Sequence, residues 1–310
     1  MKVLISSRSF GKIDSSAIEL LKSNGLELIL NPHGKKLNED EILDLMNGSV
    51  GIIAGTENIT EKIISKNPNL KVISRYGIGL DNVDIKTAQA SGVLVYNTPE
   101  TPSIAVAELT LSLILALLKK IIIVDRCAKN GQWKPEIGNL LSGKTVGIIG
   151  LGRIGKNLVK LLEPFKVNIF AYDINPDEKF VLKNKITLVS LGKLLSKSDI
   201  ITLHLPLNKQ IKYIIGEKEF SLMKKNAILI NTARGGLIDE ELLYNVLKDK
   251  RISGAAIDVF ENEPDMGKLK KLDNVILTPH IATYTIETRK NMELESAENL
   301  IKGLKEANIL

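Results

Sequence analysis

Two groups of residues have the types and spacing to do chemistry. The first is the run Lys144-Thr-Val-Gly-Ile-Ile-Gly150-Leu-Gly152-Arg153-Ile154-Gly155, with Asp173 closing the apolar stretch Asn168-Ile-Phe-Ala-Tyr172. A buried strand that runs into glycines at this spacing, and then into a helix, turns backbone N–H groups and the positive helix end toward a pyrophosphate. Gly150 permits the tight turn, Gly152 lets phosphates approach the backbone, and Gly155 lets the helix sit close on the strand. Asp173 falls 18 positions after Gly155, where a second strand would present a carboxylate to the adenosine ribose hydroxyls. A 2′-phosphate would meet that carboxylate, and Ile174-Asn-Pro176 brings no arginine to neutralise it. The cofactor expected is therefore NAD rather than NADP.

The second group is Arg234, Glu263 and His280, each just past an apolar strand-like run: Asn231-Thr-Ala-Arg-Gly-Gly236, Asp258-Val-Phe-Glu-Asn-Glu-Pro264 and Leu277-Thr-Pro-His280. Ligands of open α/β sheets bind at these carboxyl ends. An arginine can clamp a carboxylate with two hydrogen bonds and polarise the neighbouring carbonyl. A histidine can exchange a proton with a hydroxyl near neutral pH, and a glutamate can orient its ring and favour imidazolium. Carboxylate anchor, proton shuttle and hydride acceptor are what oxidation of a 2-hydroxy acid requires. Each residue also has a plain structural reading, as a surface ion pair, a solvated loop charge and a core histidine. The other histidines, His33 and His204, lack such a set, although His204-Leu205-Pro206 follows a strand and would line the cofactor groove.

The elements that must position these residues alternate strand and helix in two blocks. From Lys2 to Val95, short apolar runs at Val3, Leu28, Val50, Val72 and Val93 are separated by amphipathic segments at 15–23, 39–46 and 60–65. The second block has strands expected at 145–149, 168–172, 186–188, 200–203, 227–231, 255–258 and 275–278. Such alternation specifies parallel sheets covered by helices on both faces, an α/β class with two doubly wound domains. Between the blocks, Pro102–Asn130 reads as one helix, apolar nearly all round, and hence buried or held against a second subunit. The segment 284–310 is an amphipathic helix with no strand after it, able to return to the first block.

At 310 residues, 44% hydrophobic and 25% charged, the chain suits two globular domains. Its single cysteine, Cys127, excludes an internal disulfide and any multi-cysteine metal site, and fits a reducing, cytoplasmic compartment. The N-terminal apolar run is too short for a signal peptide. The longest apolar stretch, Ile104 to Val124, is interrupted by Glu108 and Lys119-Lys120, short of the roughly 18 uninterrupted apolar residues of a membrane span. The net charge of +6 is spread among acidic neighbours with few aromatics, which argues against a nucleic-acid surface.

The chain resembles the D-isomer-specific 2-hydroxyacid dehydrogenases, and within them the phosphoglycerate dehydrogenases. Matching segments are Arg75-Tyr-Gly-Ile-Gly-Leu-Asp-Asn-Val-Asp84, Asn97-Thr-Pro99 with Val106-Ala-Glu108, Gly150–Gly155 with Tyr172-Asp173, Asn231–Gly236, Asp258–Pro264 and Pro279-His280. The resemblance covers essentially the whole chain. It implies a flavodoxin-like substrate domain (1–98 plus 284–310) and a Rossmann-like NAD-binding domain (99–283), with the active site in the cleft and a homodimer through the coenzyme domains. It also implies that Arg234, Glu263 and His280 are catalytic. Arg75, Gly77, Ile78 and Asn97 would hold substrate. Gly150, Gly152, Arg153, Ile154, Gly155, Asp173, Leu205, Pro206, Thr232, Ala233 and Asp258 would hold NAD, and no metal is expected. The reaction implied interconverts 3-phosphoglycerate and 3-phosphohydroxypyruvate. Reduction of glyoxylate, hydroxypyruvate or another 2-oxo acid is the alternative, and an NAD-sensing corepressor-like protein is the non-enzymatic one. One departure bears on substrate: an arginine that helps hold phosphate in the phosphoglycerate enzymes aligns with Gly55. Arg75 remains, and Lys134 after Trp133 would reach across the dimer. The sequence also stops at Leu310, without the regulatory extension of many phosphoglycerate enzymes, so serine feedback through such a domain is not expected.

Overall fold

The computed structural model describes residues 1–207 and 212–310. They form two compact units, Met1–Pro102 with Thr283–Leu310, and Ser103–Ala282. Unit 1 holds β1 (Lys2–Ile5), α1 (Ser16–Ser23), β2 (Glu27–Leu30), α2 (Glu39–Leu45), β3 (Ser49–Ala54), α3 (Glu61–Ser65), β4 (Val72–Arg75), α4 (Ile85–Ala90) and β5 (Leu94–Asn97). Its sheet is wholly parallel in the order β2-β1-β3-β4-β5, the flavodoxin-like winding. Helix boundaries follow local chemistry: Asn38, Thr60 and Asp84 each accept a hydrogen bond from a first-turn backbone N–H, satisfying donors that have no partner within the helix.

The second unit begins within α5 (Thr101–Leu118) and includes α6 (Ile121–Lys129). It contains β6 (Thr145–Ile149), α7 (Arg153–Leu162), β7 (Asn168–Tyr172), α8 (Glu178–Lys183), β8 (Thr187–Leu188), α9 (Leu191–Lys197) and β9 (Ile200–Leu203). These are followed by α10 (Glu217–Leu222), β10 (Ile228–Asn231), α11 (Glu240–Lys248), β11 (Gly254–Ile257) and β12 (Val275–Leu277). Seven parallel strands run in the order β12-β11-β10-β9-β6-β7-β8, so the strand order reverses between β6 and β9. Strands β9, β10 and β11 are buried throughout, as expected of a parallel sheet with helices on both faces. The chain then returns to unit 1 with α12 (Ile286–Glu306), whose Leu300 and Gly303 pack on Gly51 of β3 and Val72 of β4.

Two expectations are corrected. The segment 102–130 is not one helix but two, because Lys120 adopts a left-handed conformation (φ 55°). The Lys120 amide still donates to the Leu117 carbonyl at 3.1 Å, whereas the Leu118 carbonyl accepts from outside the helix, from the Asn139 amide at 2.8 Å. Helix α5 is also long and apolar enough, at 18 residues and a mean hydropathy of 1.8, to meet the length and composition of a membrane span. Half of it is buried in the protein. Its Ala107, Leu113, Ile114 and Leu118 join Val146, Leu158 and Ile230 in one core, and a core helix meets the same criteria.

Candidate active site

The glycine turn lies at the carboxyl end of β6. Gly150 has φ +97°, and a side chain there would strike the His204 carbonyl at 2.6 Å and Leu205 at 2.9 Å. Gly155, in the first turn of α7, lies so close to the Gly150 carbonyl (2.4 Å from an added Cβ) that only hydrogen fits. Gly152, the N-cap of α7, contributes no side-chain cap and has nothing within 4 Å of an added Cβ. The space beside Gly152, at the N-terminus of α7, is thus open, with the positive end of the helix dipole behind it, an arrangement that fits a pyrophosphate against the first turn at Arg153 and Ile154. Asp173, directly past β7, ties the turn down: one carboxylate oxygen accepts from the Leu151 amide at 2.6 Å and the other from Asn175 at 2.8 Å. Leu205 and Pro206 follow β9 on the neighbouring strand across the switch point.

The ends of β10, β11 and β12 carry the second group. The Nδ1 of His280 lies 3.0 and 2.9 Å from the two carboxylate oxygens of Glu263. Since a carboxylate only accepts, Nδ1 carries the proton and Nε2 remains for another partner. The pair is solvent-accessible, with 41% of the His280 side chain exposed. His280 holds φ +55°, a conformation costly for a non-glycine residue and found where surrounding contacts enforce it. Asp258 supplies those contacts. Its carboxylate accepts from Thr278 Oγ1 at 2.7 Å, from the Ile281 amide at 2.9 Å and from the Ala282 amide at 3.2 Å, while its carbonyl accepts from the His280 amide at 2.8 Å. Burial pushes the Asp258 carboxyl above the usual range, against the lowering effect of these donors. Glu263 is braced by the Phe260 amide, which donates to it at 3.2 Å.

Arg234 stands on the loop after β10. Its backbone carbonyl accepts from Asn231 Nδ2 at 2.7 Å, and the Ala233 amide donates to Asn231 Oδ1 at 3.0 Å. Gly235 brings this loop against the one after β11, since an added Cβ would lie 2.1 Å from the Phe260 carbonyl carbon. Thr232 turns inward, its hydroxyl sharing a hydrogen bond with Thr110 of α5 at 2.9 Å. His204 is buried at the end of β9, its Nε2 3.1 Å from Thr202 Oγ1 and its Nδ1 without a partner among the described residues. Burial lowers its pKa to about 3.

In unit 1 Arg75 closes β4, and the loop that follows holds Gly77 and Ile78. Asn97, at the end of β5, donates from Nδ2 to the Ile78 carbonyl at 2.7 Å, and the Thr98 amide donates to the Gly77 carbonyl at 3.1 Å. Arg75 is folded beneath this loop. Its Nε donates to Asn82 Oδ1 at 3.2 Å, and Nη1 donates to the Tyr76 carbonyl. Sequence reasoning missed Asn82, Ser6 and Glu57, whose partners are remote along the chain, and the part Asn231 plays in bracing the loop after β10. Asp258 was visible as an acid after a strand, but its hold on the 278–282 loop was not.

Residues 111–282 match the family model of the D-isomer specific 2-hydroxyacid dehydrogenase NAD-binding domain. The chain is 45% identical over 260 residues to a glyoxylate reductase of Thermofilum pendens, covering 81% of this chain and 76% of that one. It is 42% identical over 274 residues to a D-3-phosphoglycerate dehydrogenase of Methanocaldococcus jannaschii, covering 87% of this chain but 52% of the relative. Among solved structures, D-lactate dehydrogenase from Aquifex aeolicus, complexed with NAD and lactic acid, superposes with a TM-score of 0.86 at 28% identity, covering 100% of this chain and 96% of that one. The chain belongs to the NAD-dependent D-isomer-specific 2-hydroxyacid dehydrogenases. Its substrates are accordingly small 2-hydroxy and 2-oxo acids.

Proposed function

We propose that this enzyme reduces a short 2-oxo acid such as glyoxylate or hydroxypyruvate to the D-2-hydroxy acid, and catalyses the reverse oxidation, with His280 as the proton-transfer residue. The observation that carries this reading is the 2.9 Å contact between His280 Nδ1 and Glu263, which leaves Nε2 to give a proton to the carbonyl oxygen in reduction and to take it back in oxidation. NAD, when bound, supplies or accepts the hydride at the carbon. Arg234 is assigned the substrate carboxylate, for which its planar fork is suited. Asp258 holds His280 in its left-handed conformation. In unit 1, Arg75 and the loop of Gly77 and Ile78, fixed by Asn97, are assigned to substrate. The Gly150–Gly155 turn, Asp173, Leu205, Pro206, Thr232 and Ala233 are assigned to NAD. The test is NADH oxidation with a panel of 2-oxo acids. Turnover with at least one short acid is expected, and inactivity across the panel would overturn the reading.

The competing reading, with 3-phosphoglycerate as the substrate in place of the short acids, is supported by the relatives named D-3-phosphoglycerate dehydrogenase at 42% and 37% identity, of whose length the chain spans little more than half. We further propose a homodimer through unit 2. Trp133 is 99% and Ile137 91% exposed, and Ile121, Ile122 and Leu140 also show apolar surface, more than isolated surface residues would explain.

A further inference from the structure

The carboxyl edge of the unit 1 sheet carries a buried acid, Glu57, close to Gly55, the position with which the phosphate-holding arginine of the phosphoglycerate enzymes aligns. Glu57, in the loop after β3, is 3% exposed. Among the described residues its carboxylate has one hydrogen-bond donor, the hydroxyl of Ser6 at the end of β1, at 2.8 Å. The same hydroxyl accepts from the Gly55 amide at 3.2 Å. An added Cβ on Gly55 would lie 2.7 Å from one Glu57 oxygen and 3.3 Å from the other, so the Glu57 carboxylate lies directly against position 55 and would have to swing aside for a side chain there. Gly55 and Glu57 thus form one contiguous feature at the end of β3. That feature is bonded to the proposed substrate loop: Asn82 Nδ2 donates to the carbonyls of Gly55 (3.2 Å) and Glu57 (2.5 Å), while Asn82 Oδ1 accepts from Arg75, which underlies Gly77.

Resting on the 2-oxo acid reading above, we infer that Glu57 is a specificity-determining residue that excludes phosphorylated acids and selects those whose far end is uncharged or donates a hydrogen bond. A doubly charged phosphate brought beside a buried carboxylate meets like charge where water screens little. A hydroxyl there meets an acceptor. Discrimination by such a repulsive group is a known route to specificity.

The experiment compares kcat/KM for hydroxypyruvate and 3-phosphohydroxypyruvate with NADH, in the wild type and in Glu57→Gln. Glutamine keeps the shape and can still accept from Ser6. The wild type should favour hydroxypyruvate by about tenfold or more, and Glu57→Gln should shrink that ratio by a similar factor. A merely structural role would lower both values alike and leave the ratio unmoved, which would overturn the inference while leaving the reaction intact. Wild-type preference for the phosphorylated acid would also overturn it, without needing the variant to fold. Turnover of other short 2-oxo acids but of neither of these would overturn the inference alone. Inactivity toward the whole panel would remove the reaction reading and the inference with it.

Discussion

Two histidines follow strands of the same seven-stranded sheet and differ in almost every respect that matters for chemistry. His280, past β12, is exposed and faces a carboxylate at 2.9 Å. His204, past β9, is buried, has an unpartnered Nδ1, and is held neutral by desolvation. A strand end at the ligand edge of a parallel sheet therefore does not make a histidine an acid–base group. An accepting partner on one nitrogen and access for a substrate on the other do so. The two aspartates of this sheet differ in a similar way: Asp173 ties down a glycine turn at a partly exposed site, whereas Asp258 is sealed in and spends its oxygens on the loop that bends His280.

If the contrast is right, His280→Ala should lower kcat by roughly two to four orders of magnitude while NADH still binds, as read by its fluorescence. The same measurement on His204→Gln should show a far smaller loss, and equal losses would erase the distinction. Next in size is Arg234→Lys, which keeps the charge but not the fork. Losing a charge-assisted hydrogen bond worth about 1.5–3 kcal/mol predicts a fall in kcat/KM of roughly 10- to 100-fold, and near-normal kinetics would assign Arg234 to a surface ion pair. Asp258→Asn exchanges an acceptor for a donor against the Ile281 and Ala282 amides, so kcat should fall about tenfold or more as the loop loosens, with little change in NADH affinity. A loss confined to NADH affinity would instead make Asp258 a cofactor ligand. Asp173→Ala should reduce the preference for NADH over NADPH by about tenfold, as measured from kcat/KM with each cofactor, and an unchanged ratio would show that Asp173 serves the turn alone.

The smallest effect concerns His204. Its pKa is about 3 in the folded protein against an ordinary 6.5, so below pH 6.5 the unfolded chain binds a proton that the folded one refuses. The stability it leaves intact above that pH is lost progressively as the pH falls toward 3. Urea unfolding of His204→Gln should show a shallower decline than the wild type over this window. Parallel declines would show that His204 is hydrated and titrates normally.

Much of the molecule was legible because the signals were local. The glycine spacing and the alternation of short apolar runs with amphipathic segments act within a few residues of themselves. The break between α5 and α6 was not legible, because the left-handed turn falls on Lys120, a residue type that does not announce one as a glycine would. Nor was the polar network of unit 1, in which Ser6 meets Glu57, Tyr76 donates to the buried Glu293 at 3.3 Å, and Arg289 lies over the Tyr76 ring at 4.6 Å. Those partners come from strands and a C-terminal helix that only the fold brings together. The histidine–glutamate pairing lay between these cases: its residue types were visible, while its distance depended on the loop that Asp258 holds.

The central claim is that His280 and Glu263 act as one unit in proton transfer, and a double-mutant cycle tests it most directly. kcat would be measured for reduction of the best 2-oxo acid by the wild type, His280→Ala, Glu263→Ala and the double variant. Residues acting as a unit are non-additive, so the double variant should be no slower than His280→Ala alone. Losses that multiply across the two substitutions would contradict the account.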